Sequence, residues 1–170
     1  VEAGLSRVAA GGPVTAKRLV KHLGTGALEI IAAEPARVRE VPGIGKKRAK
    51  AVMKALEADV AQRETLIFLQ SHGIALGTAQ RIMHRYGDST VEKVRSDPFN
   101  LADEVGGIGF VTADRIARSL GVEPLHAGRL RAGVLYVVRK ATDEGHLYLP
   151  SEVLVDEAAR VLEVSPPHVE

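Results

Sequence analysis

Apolar residues recur along this chain at spacings of three and four, and glycine marks the short runs between them. Ala49, Val52, Met53 and Leu56 form one series, Ala79, Ile82, Met83 and Tyr86 a second, and Ala113, Ile116, Ala117 and Leu120 a third. Residues so spaced share one face of a 3.6-residue helix, so each series predicts a helix with one buried side. Gly24, Gly87 and Gly121 stand just past predicted helix ends, where a left-handed residue closes the last turn. Glu34-Pro35 and Asp97-Pro98 place a proline at a helix start, where its missing N–H forfeits no hydrogen bond. Strand-like alternation is nearly absent before residue 145. Residues 125–144 predict one more helix, with Leu130, Val134, Leu135, Val138 and Ala141 on one face and Gly145 at its end. His146 to Leu149 reads as a short extended stretch. Ser151 reads as the N-cap of a helix carrying Val153, Leu154, Ala158, Val161 and Leu162, and Ser165-Pro166 begins another. Because the chain stops inside that start signal, it reads as a fragment of something longer.

The pattern also repeats. Gly24-Thr25-Gly26-Ala27-Leu28-Glu29 returns 63 residues later as Gly87-Asp88-Ser89-Thr90-Val91-Glu92. Val41-Pro42-Gly43-Ile44-Gly45 returns 64 residues later as Val105-Gly106-Gly107-Ile108-Gly109. Inside each half a shorter unit recurs, centred on Ala16, Ala49, Ala79 and Ala113, so the chain holds four similar units in two pairs. Each unit reads as helix, tight glycine turn, helix. The expected fold is all-α: tandem hairpin pairs over 1–65 and 66–122, then a small helix–turn–helix or winged-helix-like element over 123–170.

The sharpest unit is Val38-x-x-Val41-x-Gly43-Ile44-Gly45-x-x-x-Ala49-x-x-Val52-Met53. Val38 and Val41 bury a helix face, Ile44 anchors the turn, and Ala49 is small where two helices cross. Gly43 and Gly45 permit a tight turn and a close backbone approach. The turn feeds a helix N-terminus, whose unbonded N–H groups and dipole suit an anion. Lys46, Lys47, Arg48 and Lys50 follow at once. Cations oppose the dipole at that end, so helix stability does not select them, whereas a phosphate-rich partner does. The second intact copy, around Gly107-Ile108-Gly109, is followed by Phe110 and Val111 instead of lysines, with Arg115 and Arg118 further on. The remaining two turns, Ala10-Gly11-Gly12 and Gly73-Ile74-Ala75, each keep one motif glycine, and at least one of them is expected to be structural.

Composition narrows the chemistry. There is no cysteine, which removes disulfides, thiolate zinc sites and thiol nucleophiles together and suits a cytoplasmic protein. His22, His72, His84, His126, His146 and His168 show no metal spacing. No apolar run reaches the roughly 20 residues of a membrane span. The net charge is only +2, so any polyanion must be held by local positive charge.

The hairpin pattern over residues 8–121 resembles the helix–hairpin–helix family of sequence-independent DNA-binding motifs. Leu66-Ile67-Phe68-Leu69-Gln70-Ser71-His72-Gly73-Ile74, Asp97-Pro98-Phe99, Thr112-Ala113-Asp114-Arg115-Ile116-Ala117, Arg129-Leu130-Arg131-Ala132-Gly133 and Glu144-Gly145-His146-Leu147-Tyr148-Leu149-Pro150 extend the likeness. Together these resemble the N-terminal region of bacterial RecD-like DNA helicases of the long-N-terminus class, over nearly the whole chain. The resemblance implies a superfamily 1, ATP-dependent, 5′-to-3′ helicase acting in DNA repair or recombination. It implies DNA, single-stranded or forked, as partner, no membrane, and a motor in cis that holds ATP and Mg²⁺. It also implies a basic residue where Val111 stands. These 170 residues hold no cofactor site of their own: a phosphate loop needs Gly-x-x-x-x-Gly-Lys-Ser/Thr, and around Gly45-Lys46 the first and last positions are Glu40 and Lys47. This chain alone is therefore not expected to be an enzyme. The expected DNA-binding residues are Gly43, Ile44, Gly45, Lys46, Lys47, Arg48 and Lys50, with Gly107, Gly109, Arg81 and Arg115 in the second pair. Two other readings stay open: a protein-interaction scaffold in a repair complex, and a glycosylase or ligase fragment, for which no catalytic Lys–Asp pair is evident.

Overall fold

The computed structural model describes residues 12–169, and all regular structure among them is helical. Two compact units emerge, Val1–Glu64 and Thr65–Glu170. Unit 1 contains α1 (Gly12–Leu23), α2 (Ala27–Ala33), a 3₁₀ turn (Pro35–Glu40) and the first part of α3 (Lys46–Ser71). Its core gathers the small and branched residues that the periodicity marks, among them Ala16, Leu19, Ile31, Val38, Ala49 and Val52. Unit 2 contains the end of α3, then α4 (Leu76–Tyr86), α5 (Thr90–Ser96), α6 (Leu101–Glu104) and α7 (Phe110–Ser119). Short 3₁₀ turns at Gly87–Ser89 and Pro98–Asn100 link them, and α8 (Ala127–Asp143), α9 (Ser151–Leu162) and a last 3₁₀ turn (Pro166–His168) complete the unit. One cluster around Ala79, Ile82, Leu101, Ala113 and Ile116 fills the hairpin pair. A second joins Phe110 to Val137, Ala158 and Leu162.

The glycine signals behave as the pattern predicts. Gly24, Gly87 and Gly121 adopt φ of +79°, +54° and +89° just past their helices. The prolines open turns, though 3₁₀ rather than α: Pro35 and Pro98 each begin one, and Asp97 accepts a hydrogen bond from the Phe99 N–H at 3.1 Å. Three features differ. Residues 46–71, with no glycine or proline to break them, run as one 26-residue helix where the repeat suggests two. Ser151 is the first residue of α9 rather than its cap. Pro150 takes the cap position, its carbonyl accepting from the Leu154 N–H at 2.9 Å, and no side chain caps the end. The buried face of α8 is Arg129, Gly133 and Val137, so Leu135 and Val138, expected inside, are left partly exposed. An apolar pattern cannot register a buried arginine or a glycine that makes room for a neighbour.

No strand forms among the described residues, so 146–149 is an unpaired connector and the last element is a helix pair without a wing. The end of α8 closes on backbone alone, with Gly145 N–H to the Thr142 carbonyl and His146 N–H to the Ala141 carbonyl. The turn Ala10-Gly11 lies outside the described residues.

Candidate nucleic-acid interface

The two intact hairpins share one backbone. Gly43 and Gly107 both have φ +79°, which other residues adopt only with strain. The N–H of Ile44 bonds the Val41 carbonyl at 3.1 Å, and that of Ile108 bonds Val105 at the same distance. Ile44 and Ile108 are both buried. The next helix is entered by Ala49 N–H to Gly45 and Ala113 N–H to Gly109. A helix leaves its first N–H groups without backbone acceptors, so the amides of Lys46, Lys47 and Arg48 are of that kind.

What surrounds the two turns differs. In unit 1, Lys46, Lys47, Arg48 and Lys50 are all exposed, and none enters an ion pair among the described residues. Gly45, Lys46, Lys47, Arg48 and Ala51 line an open concavity. Four unneutralised cations beside a positive helix end repel one another, and an anion relieves this. Gly45 thus shares this concavity with Lys46, Lys47 and Arg48, while Gly43 and Lys50 are also exposed and Ile44 is buried.

In unit 2 the corresponding positions hold Phe110, Val111, Thr112 and Asp114. Phe110 is buried and stacks on Tyr136 at 5.2 Å and on Phe99 at 6.4 Å. Asp114 is buried against Arg129, whose Nε and Nη2 donate to its two oxygens at 2.6 and 2.8 Å. Arg129 is 1% exposed and donates further to the carbonyls of Pro124 and Leu162, so every charge there is met. This hairpin carries α8 and α9. Val111 is 66% exposed and supplies no charge. Gly107, Gly109 and Arg115 stay exposed, and Arg115 makes no ion pair among the described residues. Of the neighbouring helix-face cations, Arg85 pairs with Glu104 at 3.2 Å and Arg118 with Glu163 at 3.0 Å. Arg81 bonds Thr78 and lies over Gly107.

One residue escaped the sequence reading. Arg18, on α1, donates from Nη1 to the Gly43 carbonyl at 2.9 Å. The signal was present, since Arg18 and Arg81 are 63 residues apart, the offset of the repeat. Charge also divides unevenly. Unit 1 holds 12 Lys and Arg against 7 Asp and Glu, net +5, while unit 2 holds 11 against 14, net −3. Among the described residues no group of His, Asp or Glu could hold a metal ion, and no helix is long and apolar enough to cross a membrane.

The family model for the ATP-dependent RecD2 DNA helicase HHH domain matches residues 58–148, just over half of the chain. The chain belongs to the RecD2 helix–hairpin–helix family. The RecD2 match takes in the third and fourth hairpins and α8, and a model of the SAM-like helix-hairpin-helix tandem matches residues 11–59, the first pair. The ATP-dependent RecD2 DNA helicase of Deinococcus radiodurans is 32% identical over 146 residues, 85% of this chain and 20% of that protein. The chain thus spans about a fifth of the length of that RecD2 relative.

Proposed function

We propose that this chain is the DNA-holding region of an ATP-dependent RecD2-type helicase, gripping the phosphate backbone without reading sequence. The observation that carries this is the second hairpin: free amides at a helix start beside four exposed cations with no acidic partner, in the unit of net charge +5. Helix-start amides and clustered cations are the groups that hold phosphate oxygens, and such contacts carry no sequence information. The likeness to a DNA helicase supports a DNA partner and a motor in cis; we extend this to single-stranded or forked DNA and to a 5′-to-3′ motor that would hold ATP and Mg²⁺ outside these residues.

Neutralising about four phosphates gives a log–log salt slope near −3.6 on duplex and near −2.8 on single strands. The test is fluorescence anisotropy of the wild type and a Lys46→Glu/Lys47→Glu variant across salt. The wild type is expected to lose about a hundredfold in affinity between roughly 50 and 200 mM salt, and the variant to bind little at either. Equal binding by both proteins would overturn the proposal. A protein-interaction scaffold is the second reading, favoured by Leu147 and Tyr148, 100% and 81% exposed side by side on the 144–150 connector. It predicts weak DNA binding even at low salt.

A further inference from the structure

We infer that Arg18 is itself a phosphate ligand of the second hairpin, so that α1 forms a second wall of the interface. This role presupposes the phosphate grip proposed above. Arg18 is exposed and faces no carboxylate among the described residues, and one of its five N–H donors is spent on the Gly43 carbonyl. The others are free to receive a phosphate oxygen.

The position has its own logic. A carbonyl oxygen at the tip of the hairpin carries partial negative charge and repels a phosphate. The guanidinium seated on it reverses the local sign. It fits because Gly43 has no side chain: a Cβ there would lie 2.5 Å from Nη1 and 3.1 Å from Cζ of Arg18. The placement is built twice, since Arg81 sits over Gly107 with Nη2 3.5 Å and Cζ 3.7 Å from the equivalent point. In unit 2 that arginine is tied to Thr78 rather than to the turn, and no lysines follow. Only in unit 1 does the turn beneath the arginine lead into a lysine row.

The helix dipole does not account for this arginine. Lys21 and His22, in the last turn of α1, complement the helix dipole. Arg18 stands mid-helix, next to exposed Lys17, in a helix with no acidic residue. α1 is thus a basic wall, joined at Arg18 to the turn that presents Lys46 and Lys47.

The test uses the full chain carrying Arg18→Gln or Arg18→Ala, beside Lys46→Glu/Lys47→Glu, in anisotropy titrations against duplex DNA across salt, with thermal melts of each. Gln keeps an N–H donor for the Gly43 carbonyl but no charge, so it separates phosphate contact from support of the turn. Both Arg18 variants are expected to bind several-fold more weakly at low salt, with a salt slope shallower by about 0.9, the value of one phosphate contact. A wild-type slope in Arg18→Gln, whether affinity holds or falls, overturns the inference and leaves Arg18 a support for the turn. If in that case the lysine variant still loses binding, the hairpin grip stands and the Arg18 role alone fails. If the lysine variant also binds like wild type, both fail. Should Arg18→Ala not melt as a folded protein, Arg18→Gln decides.

Discussion

At residue scale the hairpin turns on two glycines with separate duties. Gly43 is required for its φ of +79° and for the space that Arg18 occupies. A left-handed residue with a side chain costs about 1–2 kcal/mol, and Gly43→Ala must also displace the guanidinium. Gly43→Ala is therefore expected to lower the unfolding free energy in chemical denaturation by at least that amount and to weaken DNA binding as well. Gly45 has no positive φ, and a Cβ there meets nothing within 4 Å. Gly45→Ala should melt within about 0.5 kcal/mol of wild type. It should still bind DNA more weakly, because the methyl stands between the helix-start amides and a phosphate. Paired denaturation and anisotropy measurements separate the two, and a Gly45→Ala protein that binds normally would sink the close-approach role. Both glycines were legible in the sequence, since a Gly-x-Gly turn before a lysine row has few other uses. The Arg18 contact was not, because the repeat offset pairs Arg18 with Arg81 but does not say what either touches, and the contact joins residues 25 apart.

At element scale the fourth hairpin shows one backbone put to another use. Where its counterpart has Lys46 and Lys50, it has Phe110 in an aromatic stack and Asp114 in a buried pair with Arg129. Removing one partner of such a pair strands the other charge in the interior, at a cost of about 3–5 kcal/mol. Asp114→Asn and Arg129→Met are each expected to destabilise unit 2 by about that much in chemical denaturation, with protection of α8 and α9 lost first in hydrogen exchange. A cost under about 1 kcal/mol would contradict a buried Asp114–Arg129 pair that holds α7 to α8. Gly133→Ala should act on the same helix pair, because its Cβ would sit 2.6 Å from the Leu162 side chain, an overpacking that typically costs 1–3 kcal/mol. Tyr86 adds a pH signature. Burial and then the nearby Glu104 charge raise its phenol above the ordinary value of 10.0. A folded-state pKa above the unfolded one contributes stability that is full below 10.0 and is lost as pH climbs through the folded value. Tyr86→Phe should remove that part of the alkaline loss in pH-dependent melts. The sequence showed that Phe110 and Val111 break the lysine row, but not that the departure serves α8 and α9, since the pairing of Asp114 with Arg129 joins residues 15 apart on two different helices.

At the scale of the whole molecule a net charge of +2 conceals +5 in unit 1 and −3 in unit 2. A polyanion is drawn to the first and repelled by the second. Adding duplex DNA is therefore expected to slow amide exchange at residues 12–24 and 43–50 and to leave 127–162 unchanged, read by mass spectrometry. Equal protection of α8 and α9 would refute a grip confined to unit 1. The net +2 by itself hides this, because opposite excesses cancel in a sum and separate only when the chain is divided near residue 65, where the repeat also divides it.

By itself the sequence determined the helices, the left-handed glycines that end them, the fourfold repeat and the lysine-lined turn. These are local matters: helical periodicity, capping and turn geometry are set by residues a few positions apart. Tertiary structure alone decided which hairpin faces solvent with its charges unpaired and which is built into α8 and α9. It also brought Arg18 onto Gly43 and turned Arg129 inward. Those outcomes depend on which distant side chains arrive at the same point, and a charge reads the same in sequence whether it meets water, a carboxylate or a carbonyl.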